Sequence, residues 1–363
     1  GKAAFSNRIV MTSRFYSEAE TKTKGGSTMK KCFSALVILF FVLALFISPA
    51  FAAKGTIGYV VPYKVGYFSS FVNSFESVAK AEGYKTIQLH HEYNAAKENK
   101  AIEDLITMGV DAIHVVSVSP ASAEYSCRLA NEAGIPIQVS DSGILEAKGK
   151  PFANIDFDWI DLYGTVARSI RKEVNGDLEV IWIQGFLGTP PVIMGIDGFQ
   201  SALKELKGIK LATDIQEGKY ATAPSLTITK GLVQSGVKFN VAIGACQEIT
   251  EGIIQGLKEE GVSLKDVTIV SVNGGPMDIA NIKKGNIDYI LSHSPGVEGL
   301  ACARNIAKYL QGQPYAEKVM MPIAWVSQQN WEKDLIPWDV DASWLPVVDE
   351  YLKTGNFNPA LKK

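Results

Sequence analysis

Residues 112–141 read AIHVVSVSPASAEYSCRLANEAGIPIQVSD. The first run, 112–118, is almost continuously apolar and rich in β-branched residues, and a second such run follows at 135–140. Strands of this kind are buried on both faces, as in a parallel sheet. Between them, 120–133 has helical spacing, opens on Ser119-Pro120 and closes on Gly134, a residue suited to the left-handed helix cap. Parallel neighbours require a crossover helix, so the stretch reads as one strand–helix–strand unit ending at Asp141.

The same unit precedes it: strand 56–61 with helix 69–82, then strand 85–90 with helix 95–107, closed by Gly83 and Gly109. After Asp156 a second series begins with helix 160–174. Strands are expected at 179–184, 210–216, 240–245, 267–272 and 287–292, with helices at 192–206, 223–235, 248–260, 277–284 and 296–311. Two such series exceed the usual size of one sheet. The fold class is therefore α/β, with two doubly wound parallel-sheet lobes that look like architectural copies.

The 363 residues are 47% hydrophobic and 20% charged, which excludes fibrous, low-complexity and disordered classes. One segment departs from this average. Met29-Lys30-Lys31 precedes the uncharged run 33–47, and Ser48-Pro49-Ala50-Phe51-Ala52 supplies a helix-breaking end with small residues where a signal peptidase reads. Residues 29–52 are expected to be a secretory signal peptide cleaved after Ala52, and 1–28, polar and aperiodic, an over-extended N-terminus. Seven of the 36 Lys/Arg and two of the 38 Asp/Glu lie before residue 53, so the other 311 residues carry a net charge of −7. This acidic body lacks the basic runs that nucleic acid requires.

Three cysteines, Cys127, Cys246 and Cys302, remain after the signal, so at most one internal disulfide can form and spacing does not choose it. No Cys-x-x-Cys or His-x-x-x-His occurs, and no metal or cofactor is expected. The chain also lacks a Gly-x-Ser-x-Gly elbow, a Walker loop and a Gly-x-Gly-x-x-Gly fingerprint, and it does not read as an enzyme.

Several features combine into a resemblance: 56–61 followed by Tyr67-Phe68; the stretch 133–141; Gln184-Gly185 with Gly198-Phe199; Val272-Asn273-Gly274; and 312–314 before the last strand. Over residues 54–330 the chain resembles the periplasmic binding proteins of the type I, ribose-binding class. The resemblance implies two lobes joined by three crossover strands, with crossings near 154–158, 293–295 and 322–326. The lobes would then comprise 53–156 plus 294–322 and 157–293 plus 323–340, followed by a tail at 341–363. It further implies a periplasmic receptor that captures a small sugar, polyol or similar ligand. Its partner would be an ABC permease or, alternatively, a membrane sensor, and the receptor itself would be a monomer.

Doubly wound sheets bind ligands beyond the carboxyl ends of their strands. The candidates there are Tyr67, Phe68, Asp141, Tyr220, Gln247, Asn273 and His293, with Trp159 beside a crossover. Flat aromatic faces suit the C–H side of a sugar ring, and planar polar groups suit its hydroxyls. Phe68 and Tyr220 stand at the family's stacking positions, and Asp141 at its hydroxyl-gripping carboxylate. Two arginine positions of the family hold Ser142 and Ile193, its Asn-Asp pair is Cys246-Gln247, a usual Asp is Asn273, and a usual Gln is His293. These departures leave the ligand's identity open, and ribose is not assigned. His90 and His91 are expected at the surface or the cleft rim, and His114 within the core.

Overall fold

Gly55–Val61 forms β1, and its last five residues are buried, as a central strand covered on both faces must be. The computed structural model describes residues 53–64, 66–142 and 150–362. The expected signal peptide and the segment before it lie outside the described residues. After β1 come α1 (Tyr67–Ala81), β2 (Tyr84–His90), α2 (Ala95–Thr107), β3 (Ala112–Val116), α3 (Pro120–Glu132), β4 (Ile137–Ser140) and β5 (Ala153–Asp156). Gly83, Gly109 and Gly134 end the three helices with φ of 86°, 68° and 72°, the left-handed conformation in which a Cβ is unfavourable. Ser119 Oγ accepts from Ser122 N at 3.1 Å and Pro120 follows it, so α3 starts where its sequence signal places it.

The second series runs α4 (Trp159–Glu173), β6 (Leu178–Gln184), α5 (Pro190–Glu205), β7 (Ile209–Leu211), β8 (Gln216–Glu217), α6 (Thr222–Gln234), β9 (Val241–Gly244), α7 (Gln247–Glu259), β10 (Thr268–Asn273), α8 (Pro276–Lys283) and β11 (Tyr289–Ser292). Then follow α9 (Pro295–Leu310), β12 (Lys318–Met320), β13 (Ala324–Ser327), α10 (Trp331–Asp334) and α11 (Leu345–Thr354). The strand expected at 210–216 is split. Leu211 pairs with Val180 and Gln216 with Ile183, so five positions on one side face three on the other and the excess bulges out between β7 and β8.

One sheet has the order β12-β5-β4-β3-β1-β2 and is parallel throughout. The other has the order β13-β11-β10-β9-β6-β7, with β8 also on β6, and only β13 is antiparallel. The chain passes between the sheets after β5, after β11 and after β12. Beyond α10 it returns to the first lobe, where Ser74 Oγ donates to Val340 O at 2.7 Å and Ser77 Oγ accepts from Ala342 N at 3.0 Å. There α11 lies on α9: Arg304 donates to both carboxylate oxygens of Asp349 at 2.9 Å.

In each lobe the helix that enters from the other lobe packs on the first helix after the leading strand, and a glycine permits the approach. A Cβ on Gly299 of α9 would lie 2.3 Å from Phe71 O of α1, and one on Gly198 of α5 would lie 2.1 Å from Ile160 O of α4. Backbone oxygens cannot rotate aside. Gly299→Ala is expected to cost about 1–3 kcal/mol by pushing α9 off α1. A lower thermal midpoint with an unchanged sheet signal in far-UV circular dichroism is the expected reading.

Candidate ligand-binding cleft

Because every strand but β13 runs parallel to its neighbours, the carboxyl edges of the two sheets carry the loops that face one another across the cleft. A cavity of about 510 Å³ lies there. Its wall takes Pro62 and Tyr63 after β1, Ser117 after β3, Asp141 after β4, Phe186 after β6, Ala245 and Cys246 after β9, Asn273 at the end of β10 and His293 after β11. Strand ends of both lobes thus build a single site.

Seven of the eight residues singled out from the sequence line it: Tyr67, Phe68, Asp141, Trp159, Tyr220, Asn273 and His293. Gln247 does not. It is the first residue of α7, and its side-chain oxygen accepts from Met277 N at 2.9 Å, so it supports the start of α8 instead. Its neighbours Ala245, Cys246 and Glu248 reach the wall. Burial pushes the Cys246 thiol well above its ordinary range, so it presents a neutral, unreactive surface. All three described cysteines are buried and unpaired. Among the described residues no group of His, Cys, Asp and Glu could hold a metal ion.

Two lobes meet through aromatic rings. Tyr93 from the first lobe stacks with Tyr220 from the second at 6.1 Å between centroids and 19° between planes. Phe186 lies 4.9 Å from Tyr93 and 5.9 Å from Tyr220, and Tyr63 lies 5.7 Å from Tyr93. Tyr93 and Phe186 were not picked out from the sequence, although Glu92-Tyr93-Asn94 before α2 mirrors Lys219-Tyr220-Ala221 before α6. Both pairs, Glu92-Tyr93 and Lys219-Tyr220, have φ between 52° and 55°. Among the described residues seven non-glycine positions have positive φ, and five of them, Tyr93, Asp141, Lys219, Tyr220 and Asn273, line the cavity. Such backbone costs on the order of 1–3 kcal/mol per residue and persists where function retains it.

His91 holds one of these loops and corrects the expectation of a surface position. It is fully buried, its Nε2 lies 2.8 Å from Val116 O, and its Nδ1 accepts from Tyr93 N at 3.1 Å. Burial lowers its pKa to about 4, so the ring is neutral and serves as a fixed donor and acceptor. His114 is in the core, as expected, stacked on Phe71 at 5.4 Å.

The floor of the cleft is acidic and buried. Asp156 is buried, and its Oδ1 accepts from Phe157 N at 2.8 Å and Trp159 Nε1 at 3.0 Å, which fixes the Trp159 ring in the wall. Burial outweighs these bonds and pushes its pKa up to about 6. Burial, followed by the charge of Asp156, holds the Asp141 carboxyl well above the usual carboxylate range. Tyr67 donates to Glu298 Oε2 at 3.1 Å. His293 sits edge-on to Phe157 at 4.6 Å and Trp159 at 5.5 Å; burial lowers its pKa to about 3, and neither ring nitrogen has a protein partner. Asp141 Oδ1 is likewise buried and unpartnered. Buried polar atoms are nearly always satisfied, so these point to a ligand's hydrogen bonds. Trp338, after α10, closes the floor from behind by donating to His293 O at 3.0 Å.

A family of proteins described as the periplasmic binding protein domain matches residues 57–314. The chain belongs to the periplasmic binding protein family. As a periplasmic binding protein it is a solute receptor, not an enzyme, and its two-lobed α/β fold is that of the family. The ribose import binding protein RbsB of Escherichia coli (strain K12) is 25% identical over 303 residues, covering 83% of this chain and 99% of that one. The galactofuranose-binding protein YtfQ of the same organism is 25% identical over 296 residues, covering 79% of this chain and 92% of that one. An ABC transporter solute-binding protein from Bacillus halodurans C-125, solved with bound myo-inositol, superposes with a TM-score of 0.72 at 20% identity, covering 78% of this chain and 97% of that one.

Proposed function

We propose that this periplasmic binding protein captures one small sugar or sugar-like ligand between its lobes and delivers it to an ABC permease, acting as a monomer. In this reading residues 29–52 export the chain and are cleaved after Ala52. The bodies that close on the ligand are 53–156 with 294–322 and 157–293 with 323–340, and 341–363 rides on the first. One observation carries it: a cavity of about 510 Å³ whose walls come from both lobes and whose buried polar atoms, Asp141 Oδ1 and the two His293 ring nitrogens, lack protein partners. A neutral imidazole offers one donor and one acceptor, as a hydroxyl does, and a carboxylate accepts from two hydroxyls. A ligand touching both lobes shifts the hinge equilibrium toward the closed form, which the permease then reads. The sugar names of relatives support the class of ligand.

Calorimetry against monosaccharides and polyols should show single-site binding of at least one, and binding of none overturns the reading. Phe68→Ala should weaken that ligand about tenfold, since a stacked ring contributes roughly 0.5–1.5 kcal/mol beyond its buried area. Its thermal midpoint should barely move, because Phe68 is only partly buried. Co-purification with a permease tests the delivery step.

A further inference from the structure

We infer that the cleft selects a hydroxylated amine, an amino sugar or an aminocyclitol, whose ammonium group lies beside Asp141 within a cage of tyrosine rings. The inference rests on the receptor reading above and names its ligand class. Four observations carry it. Asp141 lines the cavity with 7% of its surface exposed, and its Oδ1 has no partner in the protein. Tyr67, Tyr93 and Tyr220 line the same cavity as that carboxylate, and the Tyr93 and Tyr220 rings stack across it at 6.1 Å. Aromatic faces attract a cation through their quadrupole, and the attraction grows when water is excluded. The third observation is the balance of charge. Glu248 adds a second carboxyl to the wall, no arginine lines it among the described residues, and the one cation there, Lys219, is an exposed residue whose ammonium lies 3.9 Å from Glu217. Finally, Asp156 and Glu298 are buried carboxyls beside Asp141, Asp156 accepting from Ser142 N at 3.2 Å and Glu298 from Tyr67, and after burial the charges of such neighbours hold Asp141 and Glu298 above the usual carboxylate range. Without a cation these buried carboxyls hold protons to avoid that repulsion, and a ligand ammonium, unlike a ligand hydroxyl, stabilises the ionised form of Asp141.

The test is calorimetry with matched pairs: D-glucosamine against D-glucose, D-galactosamine against D-galactose, and 1-amino-1-deoxy-myo-inositol against myo-inositol. In at least one pair the amine should bind ten times more tightly or better. Asp141→Asn should reduce that preference to under threefold; asparagine tolerates the φ of 47° at this position, so the variant is expected to fold. Tyr220→Leu provides a second variant, which should lower the amine's affinity more than that of its neutral partner. If the neutral member binds as well or better in every pair, the amine inference falls while the receptor reading stands. If no member of any pair binds, the amine inference falls, and the receptor reading falls with it only if the wider set of monosaccharides and polyols also fails to bind.

Discussion

Replacing Gly185 with alanine is expected to weaken ligand binding at least a hundredfold while leaving the thermal midpoint within a few degrees. A Cβ at this position would lie 1.9 Å from Tyr220 Cζ and 2.3 Å from both Cε atoms, so the tyrosine ring rests on the bare α-carbon of Gly185. Gly185 does not have a positive φ, and alanine therefore meets no backbone penalty of its own. What has to move is the ring. Tyr220 sits on a left-handed residue two positions before α6, which leaves its backbone little room, so the ring swings either into the cavity or out of it. Both outcomes break the stack with Tyr93, and a hundredfold loss corresponds to about 2.7 kcal/mol. Gly231→Ala is the control. It lies exposed in α6 with no neighbour within 4 Å of an added Cβ, and should leave affinity unchanged while adding up to roughly 1 kcal/mol of helix stability. Unchanged affinity in Gly185→Ala would show that Tyr220 is not a wall of the site, and loss of the folding transition would show that its role is packing.

The second large effect is a pH dependence centred on Asp278, in the first turn of α8. Its side chain is buried and accepts from Gly274 N at 3.0 Å, yet burial pushes its pKa up to about 7. An unfolded aspartate titrates near 3.9, so between these values the folded state holds a proton that the unfolded state has lost. Stability from this group is thus fully present below about pH 4 and is lost as pH rises toward 7. Asp278→Asn cannot ionise. The variant's stability relative to the parent should improve by on the order of 3–4 kcal/mol between pH 4 and pH 7.5, measured by urea denaturation at both. The difference between the two proteins is the right quantity, because His91, His114 and His293, lowered by burial, pull the parent's own curve the opposite way. A difference independent of pH would remove the assignment.

The elements were legible because each is written locally. The run 112–118 and the helix from Pro120 to Gly134 carry their own periodicity, cap and stop, and the structure places β3, α3 and β4 there within about two residues at most ends. The break between β7 and β8 was not legible, since the residues on either side are equally apt for a strand and only their register on β6 separates them. The cleft was partly legible for the same reason. Asp141, Asn273 and His293 follow directly from strand ends, and that rule sufficed. Gln247 misled because its position at a strand-to-helix turn is shared with Cys246 and Glu248, and the rotation of α7 decides which of the three faces the cavity. Tyr93 is marked only by its likeness in position to Tyr220, two residues before a helix; its value comes from Tyr220 itself, 127 positions later in the chain and stacked upon it.

By itself the sequence determined the class of fold, the two series of strand–helix units, the acidic body and the strand-end positions of Asp141, Asn273 and His293. Those properties depend on the period of apolar residues, on caps and on charge, which are local or additive. Tertiary structure alone decided how Tyr93 and Phe186 meet Tyr220 across the lobes, that Gly185 receives a ring, and that Asp141 and His293 are left with buried polar atoms that have no protein partner. It also decided that Trp338, beyond the last strand, closes that floor. These depend on which distant residues share a volume of a few hundred Å³ and on the water excluded from it, and neither quantity is carried by any one stretch of chain.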